Sequence, residues 1–172
     1  SLSATSSVAE GGSIVYTATL TNAAQTEVTV TLSSGETITI AAGATSGSVS
    51  ILALGEDVYI DAGSVSRTIT AASGGNFESL TIDPAAATTT VTDTINTTMV
   101  SITGDAVVAE GATAAYTVSL TSPAQTAVMV NLTYSGVAAD GTDFTGLATV
   151  TIPAGASSAN FNIATLQDVL AE

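Results

Sequence analysis

Carboxylates carry nearly all of the chemistry open to this chain of 172 residues, because most other reactive side chains are missing. Fifteen Asp and Glu residues stand against a single Lys or Arg, which is Arg67, and the net charge is −14 at pH 7. His and Cys are absent. This excludes disulfides, thiolate catalysis, Ser-His-Asp triads and zinc held by His or Cys. Clustered carboxylates suit a hard cation such as Ca²⁺, which takes about six to eight oxygen ligands.

The same charge balance excludes several classes of function. Nucleic acids and anionic bilayers are bound through Lys and Arg, so we expect neither as a partner. No window holds the roughly 18 unbroken apolar residues of a membrane-spanning helix, so we expect no membrane insertion. A pair such as Asp140 and Asp143 could serve as general acid and base. With no His, no Lys and only 4% aromatic residues to line a cleft, however, we expect no enzyme.

The elements that must position these acids occur twice, because the chain repeats itself at an offset of 100 residues. Val8-Ala9-Glu10-Gly11 recurs as Val108-Ala109-Glu110-Gly111. An ungapped alignment of 8–30 with 108–130 leaves 13 of 23 positions identical. A repeat of this length is a whole small domain rather than one turn of a solenoid.

We assign residues 1–96 to a first repeat and residues 97–172 to a second one. Ile40–Gly43 aligns with Ile152–Gly155 at an offset of 112, so the second repeat carries 12 extra residues (112 − 100) in the region 135–147. It also stops where the first repeat continues through about 61–96. We therefore expect the second repeat to be truncated, with an unpaired sheet edge that could pair with another chain.

Both repeats read as runs of short strands, because apolar residues alternate with polar ones between Gly, Asn and Ser turns. Ser13–Thr21 is one such run, with Ile14, Tyr16, Ala18 and Leu20 on one face. No segment has a helical pattern. The predicted fold is all-β: tandem Ig-like antiparallel β-sandwich domains joined end to end. Further predicted faces comprise Val28, Val30 and Leu32; Ile38 and Ile40; and Val49 and Ile51.

The acids avoid most strand interiors and fall in loops. If the strands of the first repeat form a simple meander, six of its carboxylates meet at one pole, the one that faces the second repeat. These six are Glu10, Glu36, Glu56, Asp57, Asp61 and Asp93. The second repeat offers Glu110, Asp140, Asp143, Asp168 and Glu172 in corresponding places.

Crowded carboxylates repel one another and raise one another's pKa, and a bound Ca²⁺ ion would relieve this. Mg²⁺ fits less well because it demands a smaller and stricter octahedron. The alternative is that the acids bind no ion and keep a β-rich surface soluble and its strand edges apart. The candidate calcium ligands are Glu10, Glu56, Asp57, Asp61, Asp93, Glu110, Asp140, Asp143, Asp168 and Glu172.

Each repeat resembles a known family. The second resembles a Calx-beta domain, through Glu110-Gly111, Tyr116–Leu120, Asp140–Phe144, Pro153-Ala154-Gly155 and an acidic stretch at Asp168–Glu172. The first resembles the Ig-like repeats of giant repeats-in-toxin (RTX) adhesins of Gram-negative bacteria. The matching stretches are Ser7–Gly12, Tyr16–Gln25, Val28–Ser33, Thr37–Gly43, Glu56–Tyr59 and Gly74–Glu78.

The resemblance implies an extracellular segment of a biofilm adhesin that is exported by type I secretion. Such a segment would project an adhesive region from the bacterial cell surface, stiffened by Ca²⁺ at domain poles and joints, with neighbouring repeats of the same chain as its partners. The alternative is an adhesion module that binds carbohydrate or protein. Sugar sites expose aromatic platforms, for which Tyr59, Phe77, Tyr134 and Phe144 are the candidates.

Overall fold

The computed structural model describes residues 1–53 and 55–167. Within these ranges its regular secondary structure consists of β-strands. The chain divides into two compact units, Ser1–Asn96 (unit 1) and Thr97–Glu172 (unit 2). Within the described ranges no helix is long and apolar enough to cross a membrane.

The strands of unit 1 are β1 (Leu2–Ala4), β2 (Ser7–Ala9), β3 (Ser13–Thr19), β4 (Val28–Leu32), β5 (Thr37–Ile40), β6 (Ser46–Leu52), β7 (Gly63–Arg67), β8 (Ile69–Gly74) and β9 (Ala87–Thr92). Those of unit 2 are β10 (Val100–Gly104), β11 (Thr113–Leu120), β12 (Val128–Asn131), β13 (Phe144–Thr145), β14 (Thr149–Ile152) and β15 (Ser158–Thr165).

Unit 1 is an Ig-like β-sandwich whose strands form three short ladders, in the orders β1-β3-β6, β5-β4-β8 and β2-β9-β7. Its core follows from the alternation in the sequence, because successive side chains on a strand point to opposite faces. The predicted inward faces are confirmed. Ile14, Tyr16 and Ala18 on β3 are buried, as are Val28, Val30 and Leu32 on β4 and Ile38 and Ile40 on β5.

The order of the strands differs from the simple meander predicted from the sequence. β2 pairs in parallel with β9, in the register Ser7↔Thr90, Val8↔Val91 and Ala9↔Thr92. β7 pairs with the other edge of β9 in the antiparallel direction, with Gly63 opposite Val91. β9 is therefore the central strand of its ladder, and Ala87, Thr89 and Val91 alternate inward along it.

Unit 2 repeats part of this plan. β10, β11 and β15 pair as β1, β3 and β6 do, and β12 pairs with β14 as β4 pairs with β5. The insertion in this repeat supplies β13, which pairs with β15. In the described part of unit 2, strands corresponding to β7, β8 and β9 do not occur, and residues 105–109 lie in no strand.

Candidate metal centre

Three carboxylates meet at one end of the β2-β9-β7 ladder, and the directions of the strands explain why. Glu10 directly follows β2 and Asp93 directly follows β9. Because β2 and β9 are parallel, their carboxyl ends lie at the same end of the ladder. Asp61 comes just before β7, which runs the opposite way, so its amino end lies there too. Three segments distant in sequence thus deliver one acid each to a single place.

The three side chains are close enough to share one ion. One carboxylate oxygen from each of Glu10, Asp61 and Asp93 lies within 4.8 Å of the others. Glu10 is only 5% exposed, Asp93 is half-buried and Asp61 is exposed. Neither carboxylate oxygen of Glu10 has a hydrogen-bond partner among the described residues, and Oδ1 of Asp93 also has none. A buried carboxylate without a partner is costly in free energy, and these three side chains could hold a metal ion that would remove this cost.

The pKa of Glu10 reflects this environment, since it is raised from its ordinary value of 4.5 to about 7. The largest cause is the carboxyl group of Asp61, to which a protonated Glu10 would donate a hydrogen bond. Loss of solvent through burial comes next, followed by the negative charges of Asp61, Asp93 and Asp57. All of these favour the neutral acid over the carboxylate.

The raised pKa predicts how stability depends on pH in the absence of metal. Between about pH 4.5 and pH 7 the folded state binds more protons at Glu10 than the unfolded state. The free energy of unfolding contributed by this group therefore falls as pH rises through that range. We expect wild type and Glu10→Gln to have similar stability near pH 5 in chelator, and the variant to be the more stable near pH 7.5. Urea unfolding at both pH values measures this, and a difference that does not change with pH would contradict it.

A glycine turn directs Glu10 into the cluster. Gly11 has φ +68°, a left-handed conformation that suits glycine, and Gly12 N donates to Ala9 O over 3.1 Å. A Cβ atom at Gly11 would lie 3.3 Å from Cβ of Glu56, so Glu56 packs directly against the turn. The turn that follows β2 is therefore held by the hydrogen bond from Gly12 N to Ala9 O and by the packing of Glu56 against Gly11.

Two further predicted ligands, Glu56 and Asp57, lie beside the three clustered carboxylates. Asp57 is close enough for its charge to raise the pKa of Glu10. Asn96 Nδ2 donates to the Glu56 carboxylate and, over 2.8 Å, to Asp57 O. Asn96 was not among the predicted site residues. A search for acids alone misses it, although an amide a few residues after a candidate ligand is a signal that could have drawn attention to it.

Glu36 does not join this group, and the prediction that placed it at the same pole is wrong. It lies near Arg67, and its pKa is lowered, first by a hydrogen bond with Ser34, then by the backbone, with a smaller effect of Arg67. Arg67 ends β7, whereas Asp61 precedes the start of that strand. The single Lys or Arg of the chain is thus at the far end of β7 from the three carboxylates, and this strand of five residues spans about 13 Å.

The candidate ligands of unit 2 are arranged differently. Glu110, the counterpart of Glu10, is exposed. Asp140 and Asp143 bond to their own loop: Gly146 N donates to Asp140 Oδ1 over 2.7 Å, and Ala139 N donates to Asp143 Oδ2 over 2.6 Å. Among the described residues, none of the three belongs to a group of three or more acids close enough to share an ion. Asp168 and Glu172 lie outside the described residues.

The sequence of unit 1 matches the family model of the LapA domain over residues 1–94. The chain belongs to the LapA domain family. This is a family of bacterial biofilm adhesins, so the matched residues form an adhesin-related segment, and the family is not enzymatic in kind. All three carboxylates of the cluster lie inside the matched part of the LapA domain.

A second similarity covers both units. The LapA domain and unit 2 together resemble a crystal structure of CBD12 from CALX1.2, with a TM-score of 0.45 and 14% sequence identity over 98% of this chain and 76% of that one. No curated protein sequence matches the chain.

Proposed function

We propose that unit 1 is a calcium-binding extender segment of an adhesin on the bacterial cell surface. One observation carries the calcium part of the proposal. The carboxylate of Glu10 is buried, has no hydrogen-bond partner among the described residues, and has an oxygen within 4.8 Å of oxygens of Asp61 and Asp93. Membership of a biofilm adhesin family supports the surface location.

The donor set favours Ca²⁺ over other metals. All three side chains offer hard oxygen ligands, and the chain has no His or Cys with which to select zinc, copper or nickel. Three carboxylates supply about three to six oxygens, and loop carbonyls and water can complete a shell of about six to eight. The ligands come from loops at strand ends, which suits the flexible geometry of Ca²⁺ better than the strict octahedron of Mg²⁺.

Bound Ca²⁺ would hold together the ends of β2, β7 and β9. Without it, the carboxylates repel one another and the ends of these strands loosen. With it, the repulsion becomes a crosslink between segments that are 32 to 83 residues apart in the chain (93 − 61 = 32 and 93 − 10 = 83). Asn96 extends the same cluster towards the end of unit 1. This crosslink would resist force applied to unit 1, which is what an extender must do.

Extracellular modules commonly bind Ca²⁺ with Kd of about 10⁻⁴–10⁻³ M. A site in this range would be filled outside the cell and largely empty inside it. Unit 1 would therefore gain its full stability after export, in keeping with secretion in an unfolded state.

Calorimetric titration of the full chain with Ca²⁺ tests the site. We expect one binding event that is lost in Glu10→Gln and kept in Glu110→Gln, because Glu110 is the exposed repeat counterpart of Glu10 and its removal changes the charge equally. Mg²⁺ should bind more weakly. Equal loss in both variants would mean a diffuse effect of net charge, and no binding in wild type would mean that the acids serve only solubility.

A force measurement tests the extender role separately. Single full chains pulled from both ends should unfold unit 1 at a higher force in calcium than in chelator, and Glu10→Gln should abolish the difference. If calcium binds but does not change the unfolding force, the proposed metal centre stands and the proposed mechanical role is wrong.

A further inference from the structure

Three segments of unit 1 supply the clustered carboxylates: the turn at 10–12, residues 55–61 and residues 93–96. These segments meet a second time, at Glu56. A Cβ atom at Gly11 would lie 3.3 Å from the Cβ of Glu56, so the second segment packs directly against the first. The contact lies beside the cluster, because Gly11 follows the carboxylate-bearing residue of the turn.

Asn96 joins the third segment to the same place. Its Nδ2 donates one hydrogen bond to the carboxylate of Glu56 and another, over 2.8 Å, to Asp57 O. Asn96 lies three residues after Asp93 (96 − 93 = 3), and Asp57 lies four residues before Asp61 (61 − 57 = 4). Each bond therefore joins a segment that carries one clustered carboxylate to a segment that carries another.

The pairing of β7 with β9 holds Asp61 and Asp93 from one side only. The two strands pair as far as Gly63↔Val91, which is two residues from each acid (63 − 61 = 2 and 93 − 91 = 2). Both acids therefore lie on backbone beyond this register. Carboxylates that repel one another push such backbone apart, and an attachment on the far side of the acids opposes this.

The side chains of Glu56 and Asp57 are engaged by N–H donors. Glu56 accepts the hydrogen bond from Asn96, and Asp57 Oδ1 accepts one from Tyr59 N over 2.7 Å, which closes a turn within the second segment. Neither acid belongs to the group whose oxygens lie within 4.8 Å of one another. This arrangement suits residues that shape the site better than residues that bind its ion.

We propose that the Glu56–Asn96 pair positions Asp61 and Asp93 for one Ca²⁺ ion without touching the ion itself. This inference rests on the proposed calcium function of unit 1. The pair holds the second and third segments together beyond the paired strands, so the two acids stay close when the ion is absent. Removing partners that orient metal ligands from outside typically weakens metal binding about 10–100-fold.

Asn96→Ala removes both hydrogen bonds and leaves the charge of the chain unchanged. Calorimetric titration of the full chain with Ca²⁺ should give a Kd at least about tenfold higher than in wild type. The melting temperature in chelator should change by no more than about 4 °C, because both partners of the pair are exposed. Asn22→Ala, the same substitution at an exposed asparagine after the far end of β3, should leave Kd unchanged.

Asn96→Asp separates positioning from charge. If residue 96 acted as a ligand or through net charge, an added carboxylate would tighten calcium binding. In the positioning role the substitution removes the N–H donors and places a negative charge against Glu56, so Kd should again rise at least about tenfold.

A double variant tests whether the two residues act as a pair. Glu56→Ala keeps the Cβ atom that packs against Gly11, removes the carboxylate, and should weaken calcium binding about tenfold. In that background Asn96→Ala should change Kd by less than about threefold, because its main partner is already gone.

The outcomes separate this inference from the proposal on which it rests. If wild type binds calcium and Asn96→Ala binds equally well, if Asn96→Asp binds more tightly, or if the effects of Glu56→Ala and Asn96→Ala simply add, the positioning role is wrong and the calcium site stands. If wild type binds no calcium, the calcium function itself is wrong, and the positioning role falls with it.

Discussion

Near pH 7.5, replacing Glu10 by Gln is expected to raise the melting temperature of unit 1 in chelator and to lower it in calcium. In chelator the variant removes a buried negative charge that faces Asp61 and Asp93 without a hydrogen-bond partner among the described residues. In calcium it removes a ligand. At about 100 times Kd, bound calcium stabilises wild type by about 2.7 kcal/mol, which for a unit of this size corresponds to about 10–20 °C in melting temperature.

Scanning calorimetry of the full chain under both conditions measures this change of sign. Glu110→Gln is the control, because it is the same substitution at an exposed position and should shift the melting temperature little in either condition. If Glu10→Gln lowers the melting temperature in chelator as well, the carboxylate of Glu10 stabilises the fold through a contact within the protein. The proposal that it needs a bound ion would then be wrong.

Val91→Asp is expected to unfold the β2-β9-β7 ladder and to abolish calcium binding with it. Val91 is 0% exposed on the central strand, two residues before Asp93. A charge without a partner there should cost about 4 kcal/mol or more, a large part of the about 5–15 kcal/mol that stabilises a typical domain. Residue-resolved hydrogen exchange should show loss of protection along β9, and calorimetric titration should show no binding.

Thr90→Asp is the matched control for this effect. It introduces the same charge one position away, on the exposed face of the same strand, and should change stability by about 1 kcal/mol or less. Retained protection along β9 in Val91→Asp would mean that the ladder does not depend on this side chain. Loss of calcium binding in Thr90→Asp alone would point to long-range charge rather than to strand order.

The sequence was sufficient to predict the strands that carry most of the core. The alternation of Ile14, Tyr16 and Ala18 implies one buried face, and that face is buried. The all-β class and the Ig-like sandwich follow from such runs, because each run must bury one face against another sheet. All three members of the cluster, Glu10, Asp61 and Asp93, were likewise among the acids that the sequence analysis assigned to loops.

The pairing of the strands could not be read in the same way. β2 has only three residues, too few for a periodic signal, and its parallel partner β9 is about 80 residues away. The meander that was assumed instead placed Glu36 at the wrong end of unit 1. Likewise, Glu10 is buried and Glu110 is exposed, a difference that a local comparison of identical tetrapeptides cannot reveal.

The position of Arg67 has a consequence for proteolysis. Enzymes that cut after Lys or Arg find one such residue in all 172. It ends β7, and only Thr68 separates it from β8. Thr68 exchanges hydrogen bonds with Ser33: Ser33 N donates to Thr68 O over 2.9 Å, and Thr68 N donates to Ser33 Oγ over 3.2 Å. Trypsin-like proteases need an extended, unpaired segment, so cleavage at this bond requires unit 1 to open first. The shortage of basic residues therefore leaves such proteases a single target in the whole sequence, and the fold of unit 1 protects it.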